Sequence, residues 1–319
     1  MTSSAEDRTP TRTALPTVTV IVPVKDGMDG LRKCVQALVR QDYPAELLQI
    51  IVVDNGSVTS PVPVLPGDRE VTLLFERYPG SYRARNTGLG AASGEILAFT
   101  DADCVPSPNW ISAAVRHLVD HPEVDMVGGR VVLTFRAGRP VNGPELLEHV
   151  TGFPQERYVR NGFAVTANMI TRRQVFERVG PFDGTLQSGG DAEWGRRVRS
   201  GGGVAHYLAS ATVEHPARDT WGELHTKTVR TTEGVIRRVT SGPYPRSTLS
   251  RLLAGRIFRM VTAPVSAWRE PRLDSASDRV KFLTARWRVD GLIMAAAVRS
   301  FGSLLRSGKA VGGTNPRID

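Results

Sequence analysis

Along the first half of the chain, short unbroken apolar runs alternate with segments whose apolar residues recur every three or four positions. Val18-Thr19-Val20-Ile21-Val22 predicts a strand stopped by Pro23. Gln49-Ile50-Ile51-Val52-Val53 predicts a second, ending at the turn-forming Asp54-Asn55-Gly56-Ser57. After a Pro-rich loop at 60–67, residues 71–75 predict a short strand. Ile96-Leu97-Ala98-Phe99-Thr100 predicts a buried one, bounded by Gly94 and Asp101. Between these runs, residues 31–40 place Leu31, Val35, Leu38 and Val39 on one helical face, and 81–92 predict the next helix. Strands alternating with helices predict an α/β fold built on a single, largely parallel sheet.

After Pro106 the pattern changes. Ser107-Pro108 reads as an N-cap followed by proline at the first helical position, opening a helix to about His117. Residues 125–135 and 163–170 are strand-like, with a loop-rich stretch between them. Residues 171–179 and 191–200 are helical, and 203–213 close the core with strand character. From Trp221 the chain is helical and basic. Leu249, Leu252, Leu253, Ile257, Met260 and Val261 form one apolar face with Arg251 and Arg259 off it, and a second such segment runs over 278–306. The predicted organisation is a disordered polar lead (1–16), an α/β domain (17–217) and a mainly helical C-terminal extension (218–319).

Charge divides at the same boundary. The 319 residues carry a formal +9, yet residues 218–319 hold 19 Lys and Arg against 8 Asp and Glu, whereas the first 217 hold 22 against 24. A basic extension of amphipathic helices can pack on the core, pair with another subunit as a homodimer, or lie on an anionic membrane surface. No nucleic-acid partner is expected. Cys34 and Cys104 share no metal-type spacing and fit a reducing compartment. The start lacks the apolar core of a signal peptide. The longest uncharged apolar candidate, 291–298, falls far short of the roughly 20 residues that span a bilayer. The expected location is cytoplasmic, with peripheral attachment to the inner face of the plasma membrane as the open alternative.

Candidate chemistry gathers at the strand ends. If the extended geometry continues past Thr100, Asp101 and Asp103 point the same way. Two hard oxygen ligands at the carboxyl edge of a parallel sheet suit Mg²⁺ or Mn²⁺, and such an ion suits a diphosphate. An Asp-X-Asp alone is weak evidence, because turns are rich in Asp. Here, however, three successive strands deliver polar residues to one edge: Pro23-Val24-Lys25-Asp26, Asp54-Asn55-Gly56-Ser57 and Asp101-Ala102-Asp103.

With these residues a resemblance becomes clear. The series Thr17-Val-Thr-Val-Ile-Val-Pro-Val, Val53-Asp-Asn-Gly-Ser, Ala84-Arg-Asn-Thr-Gly and Phe99-Thr-Asp-Ala-Asp resembles glycosyltransferase family 2, the inverting enzymes of GT-A fold. Gly180-Pro-Phe-Asp followed by Gly189-Gly-Asp-Ala-Glu-Trp is similar to that family's acceptor-side signature. The resemblance covers about residues 17–215. It implies a nucleotide-sugar half (17–105), an acceptor half (106–217) and transfer of a hexosyl group from a nucleotide sugar to an acceptor hydroxyl. UDP is the first expectation for the carrier, with GDP and dTDP open. The acceptor is a glycan, a lipid-linked molecule, a peptide or a small molecule.

The resemblance also implies roles. Pro23, Val24 and Lys25 would border base and ribose. Asp54 would accept a hydrogen bond from a uracil-type imide, with Ser57 on the same turn; on its own Asp54 reads equally as a turn former. Arg83 or Arg85 would neutralise phosphate or hold the acidic cluster, with Asn86 on the same helix. Asp101, with Ala102 beside it, and Asp103 would hold ribose and a Mn²⁺ or Mg²⁺ ion, Asp103 being the surer ligand. His215 would complete the metal shell or contact the diphosphate, and Arg218 would clamp phosphate. Asp191 matches the family's general base. Glu193, two residues on, points elsewhere on a helix and is the lesser candidate. Trp194 reads as a sugar-stacking platform or a core residue. The sequence departs from the family at Lys25-Asp26 and at Gly190, where Glu is more usual.

Three competing readings have sequence tests. A Rossmann dehydrogenase needs its Gly-rich turn after the first strand, and Gly88-Leu-Gly90 sits at a helix end instead. A sugar nucleotidyltransferase needs a Gly-rich basic loop there, which Pro23-Val24-Lys25-Asp26-Gly27 matches poorly. A non-catalytic nucleotide-sugar-binding or scaffold protein of the same fold is opposed by the intact Asp101, Asp103 and Asp191.

Overall fold

The structure, a computed structural model, describes residues 14–66, 71–241 and 244–310. Most of the polar lead read at 1–16 therefore lies outside the described residues. Eighteen helices and strands follow in the order β1 (Val18–Val24), α1 (Met28–Val39), β2 (Leu48–Asp54), β3 (Thr72–Phe75), α2 (Ser81–Ala91), β4 (Ile96–Phe99), β5 (Val105–Pro106), α3 (Trp110–Asp120), β6 (Met126–Thr134), α4 (Gly143–Thr151), α5 (Gln155–Arg160), β7 (Met169–Arg172), α6 (Arg173–Val179), α7 (Gly190–Ser200), β8 (Ala205–Pro216), α8 (Trp221–Thr240), α9 (Pro245–Trp268) and α10 (Ala276–Ala310).

The strands form one sheet in the order β3-β2-β1-β4-β7-β6-β8-β5. β1 to β4 pair in parallel, as does β6 with β8, while β7 runs antiparallel between β4 and β6 and β5 caps the edge antiparallel to β8. The central strands are buried on both faces, which is why they read as unbroken apolar runs. One face packs Val20, Val22, Ile50 and Ile170 against α1 and α3. The other packs Ile21, Ile51, Phe99 and Met169 against α2, α6 and α7. A third cluster joins Leu146 and Leu147 of α4 to Leu224, Ala267, Phe282 and Ala285 of the last three helices. The extension is thus bound to the α/β domain through α4.

Several boundaries differ from the sequence expectation, each for a local reason. Pro23 continues β1, because it registers with Val53 of β2 while β4 already ends opposite Ile21. Its missing N–H therefore faces no neighbouring strand. The segment Asp101-Ala102-Asp103 is a turn, closed by the Cys104 amide donating to the Asp101 carbonyl at 3.0 Å, and not extended strand. Helix α3 starts after Asn109, since Ser107 is tied to the sheet through the Thr212 carbonyl. The stretch read as loop-rich before residue 163 contains α4 and α5. Asn142 caps α4 by accepting from the Glu145 amide at 3.0 Å, with Pro144 in the first turn. The strand expected over 163–170 begins only at Met169.

Candidate active site

The ends of β1 and β4, the start of α2, the first turn of α7, the end of β8, and helices α4, α8, α9 and α10 surround a cleft of about 920 Å³. Pro23, Val24, Lys25, Arg85, Asp101, Ala102, Asp103, Asp191, His215 and Arg218 all line it, so the structure brings these expected residues together. Asp54 lines an adjoining hollow with Gly56, Phe75 and Tyr78. It accepts from the Ser57 amide at 2.9 Å, while the Ser57 hydroxyl accepts from the Asp26 amide at 2.8 Å. These bonds brace two strand ends against each other.

Three expected residues stand apart from the cleft. Arg83 and Asn86 border a separate hollow. The Asn86 amide is spent on the Phe182 backbone, donating to its carbonyl at 2.8 Å and accepting from its N–H at 3.1 Å. Trp194 is fully buried, stacked on Phe176 at 4.4 Å, and its indole N–H donates to the Gly180 carbonyl at 3.0 Å. No ring face is left for a sugar. Asn86 and Trp194 are structural residues that fix the Gly180-Pro-Phe-Asp segment.

The turn after β4 places the carboxylates of Asp101 and Asp103, the Cys104 thiol and the His215 imidazole within 4.8 Å of one another. His215 is almost fully buried, and its Nδ1 lies 2.7 Å from the Pro216 carbonyl. A carbonyl only accepts, so Nδ1 carries a proton, and Nε2 is turned toward the carboxylates, 3.8 Å from Asp103 Oδ1. A backbone carbonyl fixing the ring in this way is the usual support for a metal-ligating histidine. Half of the Asp103 side chain still reaches cleft water. Even so, the surrounding walls push its carboxyl above the ordinary range, with Asp101 adding to the rise and His215 opposing it. A carboxylate held in that state gains from a cation beside it. The Asp101 carboxylate is already gripped by Arg85, a buried guanidinium whose Nε has no partner. The donor set of two carboxylates and an imidazole fits Mn²⁺ or Mg²⁺ chemistry through its oxygens. Cys104 was not anticipated as a neighbour of this group; burial holds its thiol well above the ordinary range and therefore protonated.

Asp191, in the same cleft lining, sits in the first turn of α7, after Gly189 in the left-handed conformation at φ 76°. Burial raises its carboxyl above the ordinary range, offset by the Ala192 amide at 2.8 Å, by Arg85 and by the Tyr82 hydroxyl; Asp101 nearby raises it further. Tyr82, absent from the sequence reading, stands against this turn with its hydroxyl near the backbone of Gly190 and Asp191. A Cβ at Gly190 would meet the Tyr82 ring at 2.7 Å, so the glycine that departs from the family pattern makes room for this tyrosine. Glu193 is bound in bidentate fashion by Arg197 at 2.8 and 3.0 Å, which leaves Asp191 as the uncommitted acid.

Glu148 of α4, also missed, is buried beside the cleft. It accepts from Arg218 at 2.8 Å and Lys227 at 2.6 Å. Burial would raise its carboxyl, but these two cations outweigh that and hold it below the ordinary range. One negative charge thus positions two positive ones along the cleft wall. The only signal in the sequence was the helical spacing of α4, hidden by its flanking Gly and Pro residues.

Residues 19–180, half of the chain, match the profile of Glycosyl transferase family 2. The chain is 36% identical over 231 residues to "Glycosyltransferase AglE" of Haloferax volcanii, covering 70% of this chain and 74% of that one. It is 30% identical over 225 residues to "Pre-mycofactocin glycosyltransferase" of Mycobacterium tuberculosis, covering 67% of this chain and 46% of the relative. Among solved structures, the mannosyltransferase PcManGT from Pyrobaculum calidifontis, in complex with GDP-Man and Mn²⁺, superposes with a TM-score of 0.57 at 21% identity. That match covers 95% of this chain and 82% of that one. Staphylococcus aureus TarS gives a TM-score of 0.51 at 16% identity, covering 86% and 55%. The fold is GT-A, and the chain belongs to glycosyltransferase family 2. No helix among the described residues is long and apolar enough to cross a membrane.

Proposed function

We propose that the chain is a metal-dependent, inverting glycosyltransferase that moves a hexosyl group from a nucleotide sugar to an acceptor hydroxyl. The observation that carries this reading is the presence of two acidic groups in the lining of one cleft. Asp101, Asp103 and His215 stand on the donor side, and the burial-raised Asp191 stands at the start of α7. Pro23, Val24 and Lys25 border the nucleoside, with Asp54 in the adjoining hollow. UDP is the proposed carrier on family grounds.

Asp103 and His215, with Asp101, would hold Mn²⁺ or Mg²⁺, which when bound supplies positive charge to the departing diphosphate. Arg85 fixes the Asp101 carboxylate, while Arg218 and Lys227, held by Glu148, add positive charge to the cleft wall. Asp191 takes the proton of the acceptor hydroxyl as its oxygen attacks the anomeric carbon from the face opposite the leaving group. The carbon–oxygen bond to the diphosphate breaks and the anomeric configuration inverts. A carboxyl raised by burial is better matched to this work near neutral pH than an ordinary Asp. The test is release of free nucleotide from a panel of UDP-, GDP- and dTDP-sugars with Mn²⁺ and candidate acceptors. Proton NMR of the product then reads the anomeric configuration. A product that retains the donor's configuration contradicts the assignment of Asp191 as sole base.

A further inference from the structure

Helix α9 is apolar on two sides. Leu249, Ala263 and Ala267 are buried on one, and Arg256 on that side pairs with buried Asp290 of α10 at 2.6 Å and lines the cleft. On the other side Ile257, Phe258, Val261, Val265 and Trp268 are 52%, 68%, 73%, 55% and 69% exposed. Residues 257, 261, 265 and 268 are spaced four, four and three apart and so lie along one stripe of the helix, with Phe258 beside it. The sequence pattern had placed Ile257 and Val261 on the same face as Leu249; the structure turns them outward.

We infer that this stripe is a docking surface for an anionic lipid bilayer, on which α9 lies in the interfacial plane. Charge selects this occupant. Arg251, Arg259 and Arg269 are exposed along α9 and at its end, and Arg279 stacks over the Trp268 ring at 5.1 Å. Two of the four acidic residues of the same region are held in ion pairs, Asp290 by Arg256 and Arg286 and Glu270 by Arg272 at 2.6 Å, which leaves Asp274 and Asp278 against the arginines named here. A surface of apolar residues with an aromatic ring and bordering arginines matches the headgroup boundary of a bilayer rich in anionic lipid. A second copy is the poorer partner, because a two-fold contact through this stripe brings these arginines close to their own copies. The inference does not rest on the proposed transfer reaction.

The experiment is flotation of the full chain with vesicles of phosphatidylcholine alone and of an equal mixture of phosphatidylcholine and phosphatidylglycerol. The comparison set is Phe258→Ser/Val261→Ser and Arg251→Gln/Arg259→Gln, with sedimentation velocity and melting curves on each protein. The inference predicts that the wild type floats with the mixed vesicles. Each double variant should lose roughly tenfold or more of the bound fraction while keeping the wild-type melting temperature. Exposed positions make that retention a fair demand. Wild-type protein left at the bottom of the gradient with both vesicle types overturns the inference. So does a wild-type dimer that the Phe258→Ser/Val261→Ser variant dissociates, since the stripe is then an interface between copies.

Discussion

Replacing Tyr82 by Phe removes one hydroxyl from beside Asp191 and leaves the ring, its packing against Phe182 and the space around it unchanged. In the structure that hydroxyl stands near the Asp191 carboxylate and lowers its pKa against the upward push of burial. A hydrogen bond to a charged group is worth about 1.5–3 kcal/mol. Losing that favourable interaction moves the Asp191 carboxyl up, and water entering at the vacated position returns only part of it. Asp191 must be ionised to accept a proton, so the acidic limb of log kcat/KM against pH moves to higher pH in Tyr82→Phe. Above the limb the rate stays within a few-fold of wild type. The assay is nucleotide release across a pH series at saturating Mn²⁺. An acidic limb that stays in place or moves to lower pH refutes the argument, because the limb then belongs to a group other than Asp191.

Three other outcomes follow from the same geometry. Gly190→Ala drives a Cβ into the Tyr82 ring and displaces both ring and base; transfer should fall at least about tenfold while the melting temperature changes little, as read by kinetics alongside circular dichroism. Trp194→Ala empties a fully buried site and should cost about 3–5 kcal/mol in denaturant unfolding, whereas Trp194→Phe should leave the donor KM unchanged, since no sugar touches the ring. Asp191→Asn should raise the melting temperature by about 2 °C near neutral pH. The sign follows from the raised carboxyl: the folded state binds the proton more tightly than the unfolded chain. Stability is therefore present in full below the unfolded pKa and is lost as pH rises through the folded one, so the gain from Asn should vanish in acid.

The nucleotide-side strands were legible because burial on both faces leaves no polar alternation to misread, and Ile50 to Val53 and Ile96 to Phe99 show it directly. The acceptor half was harder. Helices α4 and α5 are short and flanked by Gly and Pro; α4 is held by the C-terminal helices and α5 by β6 and β8, contacts that no local pattern announces. The site was readable as a set of residue types and less so as an arrangement. Asp101 and Asp103 reached the cleft on a turn and not on a strand end. The orientation of the His215 ring depends on the Pro216 carbonyl, and the neighbour that acts on Asp191 is a tyrosine more than a hundred positions away. Trp194 could be assigned to the core only once Phe176 was seen against it.

The division of labour across the cleft is the central claim, and one paired titration tests it most directly. Binding of UDP, or of whichever nucleotide the donor screen selects, is measured by calorimetry with and without Mn²⁺ for the wild type, Asp103→Ala and Asp191→Asn, with transfer assayed on the same preparations. The account predicts that Asp103→Ala loses the Mn²⁺-dependent part of nucleotide binding, and transfer with it. Asp191→Asn should bind nucleotide as the wild type does and transfer at least about a hundredfold more slowly. Equal loss of nucleotide affinity in both variants, or full transfer by Asp191→Asn, contradicts it.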